Sequence, residues 1–176
     1  MNTHSLPCIT TIGSIEIAIA PIEYVPDKID AIVEEQDTNL LLTADTEINY
    51  PEDDYDSLIK QMSAVSTRKP GQIIIKQETP LRLQAIVHNI YNEPSWKSEW
   101  ITNVLKQLRD IIEEHEIKIL AMPLLGTYHG KMDELESVKL HYFNLASYNS
   151  TILQKIWLIA PDPACQRIKD NINGMK

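Results

Sequence analysis

A chain of 176 residues with 43% hydrophobic and 23% charged residues has the composition of one soluble globular domain spanning residues 1–176. That length suffices to remove roughly 70% of the extended-chain surface from water. Its 25 Asp and Glu outweigh 16 Lys and Arg, and the net charge of −9 with no basic run longer than Arg68-Lys69 argues against general nucleic-acid binding and against an anionic membrane surface.

No apolar stretch approaches the roughly 20 residues that cross a bilayer, and the opening Met1-Asn2-Thr3-His4 lacks the basic start and apolar core of a signal peptide, so a cytoplasmic location is expected. Cys8 and Cys165 sit far apart with no CxxC spacing, which predicts two reduced thiols rather than a disulfide framework or a zinc site. Residues 12–20 alternate through Ile15, Ile17 and Ile19 with the period of a half-buried strand, and Pro21 ends it. After a loop through Glu23 and Tyr24, residues 29–33 read as a second, more central strand that stops at the acidic cluster Glu34-Glu35-Gln36-Asp37. Residues 43–57, rich in acidic and turn residues, predict a surface loop, and Asp53, Asp54 and Asp56 could lead a short helix through Leu58, Ile59 and Met62.

Pro70-Gly71 marks a turn, and residues 72–76 and 83–90 are predicted strands that pair across 77–80. Ile101, Val104, Leu105, Leu108, Ile111 and Ile112 recur at spacings of three and four, the stripe of an amphipathic helix running to about His115. Residues 117–122 then form an apolar run of strand length, Pro123 cannot donate to a ladder, and Gly126 and Gly130 follow in a tight turn. Asp133, Glu134 and Glu136 head a helix carried by Leu135, Val138, Leu140, Tyr142 and Leu145; a last strand falls at 156–160, with a terminal helix from about Pro163. Strands and helices alternate over most of the chain, but the early strands and the pair at 72–90 lack long helices between them, so the sheet is expected to be mixed.

The strand, glycine turn and helix start at 117–136 is the arrangement with which α/β proteins hold anions on backbone N–H groups. It is not a nucleoside-triphosphatase loop, because only three residues separate Gly126 from Gly130 and Met132 follows Lys131 where a hydroxyl residue would ligate magnesium. None of the five His makes an i, i+4 pair with Glu, so neither a metal nor a cofactor is expected. His88 lies in a predicted core strand and reads as a structural histidine, whereas His129, in the glycine turn, is a candidate phosphate donor. No Ser sits on a nucleophile elbow.

The order of these pieces resembles a macrodomain, the three-layer α-β-α sandwich with a mixed central sheet that binds ADP-ribose. Asp30-Ala31-Ile32-Val33 is similar to that family's strand preceding an Asn-Ala-Ala-Asn sequence. The strands at 72–76 and 86–90 resemble its middle pair, residues 121–127 with Gly130 resemble its second phosphate loop, and 156–159 resemble its late strand. The resemblance implies that Glu23 accepts the adenine amino group, that Glu34 and Asp37 stand at the two Asn positions, and that Gly126, Thr127 and Gly130 fall on the diphosphate loop, with Tyr128 a lid beside the distal ribose; Leu125 and His129, within the same turn, complete the candidate ligand-binding set. Asp37 is the one candidate general base it suggests.

This chain departs from that pattern in having no glycine between Gly13 and Gly71, where the first phosphate loop would lie, and in a second loop one residue short. Two carboxylates also replace two amides, and at ~6 Å and an effective dielectric near 20 their repulsion would cost about 2 to 3 kcal/mol. Three readings follow: weak binding of ADP-ribose or a related nucleotide without committed catalysis, a ligand-free interaction or scaffold module, and an ADP-ribosyl hydrolase. Self-association into a homo-oligomer is compatible with each. The binding reading requires the strand ends near 34 and 123 to lie side by side and share a hollow.

Overall fold

The computed structural model describes residues 6–42 and 68–176. The loop and short helix expected between 43 and 62 lie outside the described residues. Strands β1 (Cys8–Ile12) and β2 (Ile15–Ala20) form a hairpin whose two-residue turn places Gly13 at φ 58°, so the single strand expected at 12–20 is one arm of a pair. β3 (Ala31–Asp37) runs through the acidic cluster instead of stopping before it. β4 (Ile73–Lys76) and β5 (Leu81–His88) pair antiparallel as expected, and β6 (Ile119–Pro123) and β7 (Lys155–Ile159) complete the sheet.

The order is β1-β2-β7-β6-β3-β5-β4. β2, β7, β6, β3 and β5 are mutually parallel, and antiparallel β1 and β4 close the two edges. One rim therefore collects the carboxyl ends of all five central strands, the side on which open parallel sheets keep their ligands.

Helix α1 (Ser98–Glu114) buries the six residues of the predicted stripe, α2 (Glu134–Ala146) follows β6, and α3 (Asp162–Asn173) follows β7. α1 packs on β5 and on α2, α2 on α3, and α3 on β1 and β2. One apolar cluster joins these helices to alternate strand residues such as Ile17, Val33, Leu83 and Leu120. Each fully buried Leu or Ile there contributes about 1.5–3 kcal/mol, which is what holds the rim in place.

Candidate functional site

The β3–β6 ladder joins Ala31 to Leu120 and Ile32 to Ala121. The two strand ends thus lie side by side, but they do not share the hollow that the binding reading also requires, because the space just beyond the ladder is occupied. Glu35, its side chain 2% exposed, accepts a hydrogen bond from the Gly126 amide on one carboxylate oxygen at 2.6 Å. Its other oxygen lies 2.7 Å from His88 Nε2. His88 Nδ1 in turn lies 3.2 Å from Ser95 Oγ, so the histidine is a buried structural link, as its place in a core strand implied.

Packing fixes the glycine turn from both sides. Gly126 has φ 88°, and a Cβ there would stand 2.8 Å from Ile101 Cδ1 and 2.9 Å from Met132 Sδ. A Cβ on Gly130 would run into Trp96 Cδ1 and stand 2.7 Å from His88 Cε1. Leu125 is fully buried, and α2 grips its peptide: Ser137 Oγ donates to the Leu125 carbonyl at 2.8 Å, and the Leu125 amide points to His141 Nε2 at 3.5 Å. His141 Nδ1 donates to the Ser137 carbonyl at 2.8 Å, which sets the tautomer, and burial pushes its pKa down to about 4. The residues that anchor the turn are therefore polar residues of a helix read from sequence as apolar.

The start of α2 is capped from within the chain. Asp133 caps it by accepting from the Glu136 amide at 3.0 Å, with Glu134 and Glu136 also in the first turn. The anion site expected at this helix start is taken by the chain's own carboxylate. Within the turn, the Thr127 amide and hydroxyl both donate to the Leu124 carbonyl and the Met132 amide donates to Gly126.

The open space lies on the other side of the turn, where a cleft of about 550 Å³ sits at the ends of β2, β7 and β6. Ile22 and Glu23 reach it from a short 3-10 turn after β2, Thr127 and Tyr128 from the glycine turn, Met132 and Glu134 from the approach to α2, and Ile168 from α3. Ile22 and Tyr128 are 53% and 80% exposed, large apolar surfaces standing at the mouth. Arg167 binds Glu134 through two hydrogen bonds of 2.7 and 2.8 Å.

Of the residues expected at a site, Glu23, Thr127 and Tyr128 line this cleft, while Leu125, Gly126 and Gly130 frame the turn behind it. His129 is exposed, its ring 4.6 Å edge-on from that of Tyr128, and is not among the residues lining the cleft. Glu34 and Asp37 are placed elsewhere. Glu34 pairs with Arg82 at 2.9 Å, on the side of β3 opposite to Glu35 because successive strand residues alternate. Asp37 is fully buried and accepts from the amides of Asn39, Leu41 and Leu42 at 2.7, 2.8 and 3.0 Å. Its carboxylate organises the turn after β3, which is not the setting of a general base.

Sequence reasoning passed over Glu35 and Ile22. The signal for Glu35 was its parity with Ala31 and Val33, which put it on the core face of β3; Ile22 had no signal beyond its nearness to Glu23. Both cysteines are buried thiols, and burial pushes Cys165 up to about 11, which makes it unreactive. Among the described residues no helix is long and apolar enough to cross a membrane.

Solved structures share this architecture. A macrodomain of Oceanobacillus iheyensis with ADP superposes with a TM-score of 0.68 at 11% identity, over 96% of this chain and 95% of that one. A Trypanosoma brucei macrodomain in complex with ADP gives 0.63 at 9% identity, over 89% and 68%. The macrodomain of Thermus aquaticus DarG gives 0.58 at 17% identity, over 82% and 98%. No family model matches the sequence, and no curated protein matches it either. The chain has the macrodomain fold, the three-layer α-β-α sandwich anticipated from the order of its motifs, in a divergent sequence.

Proposed function

We propose that the chain binds ADP-ribose or a related nucleotide, weakly, in the cleft at the ends of β2, β7 and β6. The observation that carries this reading is the cleft itself: about 550 Å³ at the carboxyl rim, with Glu23 at one side and Thr127 and Tyr128 at the other. The Glu23 carboxylate accepts from an amino-bearing base, Ile22 and Tyr128 supply apolar faces for it, and the rest of the ligand extends along the glycine turn. Support also comes from the solved macrodomains of the same fold that hold ADP or ADP-ribose.

The reading includes no catalytic step, since Asp37 is committed to three backbone amides. The scaffold reading retains one specific observation in its favour, the Glu35 carboxylate filling the gap between β3 and the glycine turn. Calorimetry with ADP-ribose at low salt separates the two. Saturable heat is expected, weakened about tenfold or more by Glu23→Ala, since a hydrogen bond to a charged acceptor is worth about 1.5–3 kcal/mol. The absence of both heat and thermal shift at millimolar ligand would leave only the scaffold.

A further inference from the structure

Helices α1 and α2 leave a groove of about 560 Å³ between them, and no residue that lines it also lines the cleft. Two cross-ties fix its walls. Near the helix starts Ser98 Oγ donates to Glu136 at 2.8 Å, and farther along Arg109 Nε donates to Asn144 Oδ1 at 2.9 Å and its Nη2 to Ser147 Oγ at 2.7 Å. The helices therefore run side by side in the same direction, and the stretch of α1 from Ser98 to Arg109 gives the groove a length of roughly 16 Å.

Its lining is apolar and basic together. Phe143, the one Phe of the chain, is 64% exposed, and half-buried Leu140 lies three residues before it on the same side of α2. Lys106 and Lys139 are exposed, and among the described residues neither has an acidic partner, while Arg109 donates to the neutral Asn144 and Ser147. Against these three cations stands one carboxylate, Glu136, which already accepts from Ser98. A surplus of positive charge around an exposed aromatic ring runs against the character of a chain whose net charge is −9.

Charge complementarity sets the sign of the occupant, and the walls set its form. Both walls are helices whose backbone groups bond within their own turns, so an extended segment finds no edge to pair with. A helix laid in the groove with an apolar face inward needs none. A nucleic-acid strand is less well matched, because three cations with a carboxylate among them offer few phosphate contacts.

We propose that the α1–α2 groove docks an acidic amphipathic helix of a partner protein, its apolar side chains covering Phe143 and Leu140 and its carboxylates meeting Lys106 and Lys139. The proposal stands whether or not the cleft holds a nucleotide.

The test is fluorescence anisotropy on the intact chain with a labelled peptide of about 16 residues that places Leu at helical spacing between flanks of Glu, beside a scrambled peptide of the same composition. Saturable binding of the patterned peptide is expected, about tenfold or more tighter than that of the scrambled one. Lys106→Glu combined with Lys139→Glu should weaken it about tenfold or more. Lys28→Glu combined with Lys118→Glu, an equal change of net charge at exposed positions just before β3 and β6, should leave it within about threefold. Equal losses in the two pairs would assign the attraction to bulk charge and overturn the proposal. So would the absence of binding up to about 1 mM peptide, or equally tight binding of the scrambled peptide or of a labelled oligodeoxythymidine. Phe143→Ser, at an exposed position, reads the apolar contact separately: about fivefold or more weaker binding at an unchanged melting temperature is expected, and unchanged affinity would remove the ring from the interface and the proposal with it.

Discussion

On β3 the side chains of Glu34 and Glu35 leave the backbone on opposite faces, and their fates diverge accordingly. Glu34 meets Arg82 where both are partly exposed, a pair worth at most about 1 kcal/mol. Glu35 is buried, and both of its oxygens are engaged. Asp37 beyond it is a cap: Asp37→Ala is expected to lower unfolding free energy by about 1 to 2 kcal/mol in urea titrations, because three backbone amides, partly buried, lose their acceptor. Unchanged stability would mean that the turn is held by other contacts. His141 predicts a pH dependence. Its folded pKa of about 4 lies below the ordinary 6.5, so the unfolded chain takes up the proton first, and stability is lost as pH falls from about 6.5 toward 4. The loss should approach roughly 3 kcal/mol, visible as a falling midpoint in denaturant, and His141→Gln should flatten that slope.

At the scale of elements, the turn between β6 and α2 is a packed joint. It is bonded to β3 through Glu35, to α2 through Ser137 and His141, and wedged between Ile101 of α1 and Met132. Gly126→Val therefore acts on folding before it acts on any ligand: the positive φ and the 2.8 Å approach to Ile101 predict a loss of more than about 1 kcal/mol, read as a lower melting temperature without ligand. A wild-type melting temperature would contradict so close an approach of the turn to α1. α2 buries Ser137, His141 and Asn144 beside Val138 and Leu145, and Arg109 of α1 donates to the Asn144 side chain at 2.9 Å. Its inward stripe is half polar because it faces the turn as well as the core.

For the molecule as a whole, the net charge of −9 sets the sign of any long-range effect on an anionic ligand. Raising ionic strength from about 50 to about 300 mM should leave ADP affinity unchanged or strengthen it, because salt screens repulsion. A steep weakening in the same calorimetric titration would reveal a positively charged contact at the ligand. The parallel core of the sheet gives the cleft its position, since β2, β7 and β6 end on one rim, while β1 and β4 close the edges and add nothing to the site.

Much of this was legible in one dimension. Periodicity located α1 with its six buried residues, β-branched density located β4, apolar runs located β5 to β7, and the order of the motifs anticipated the sandwich, because each signal is local and repeats along the chain. Glu23, named from the family resemblance, and Thr127 and Tyr128, named from the glycine turn, come to line one cleft because the strands and turn that carry them end on the same rim. The destinations of Glu34, Glu35 and Asp37 were not legible. Four polar residues in a row look alike as text, and which of them faces a partner strand, a histidine or its own turn depends on alternation, on the irregularity at Gln36 and Asp37, and on β5 and β6 arriving from 50 to 90 residues away. Sequence determined the elements; only tertiary packing decided that a carboxylate, rather than open space, stands behind the glycine turn.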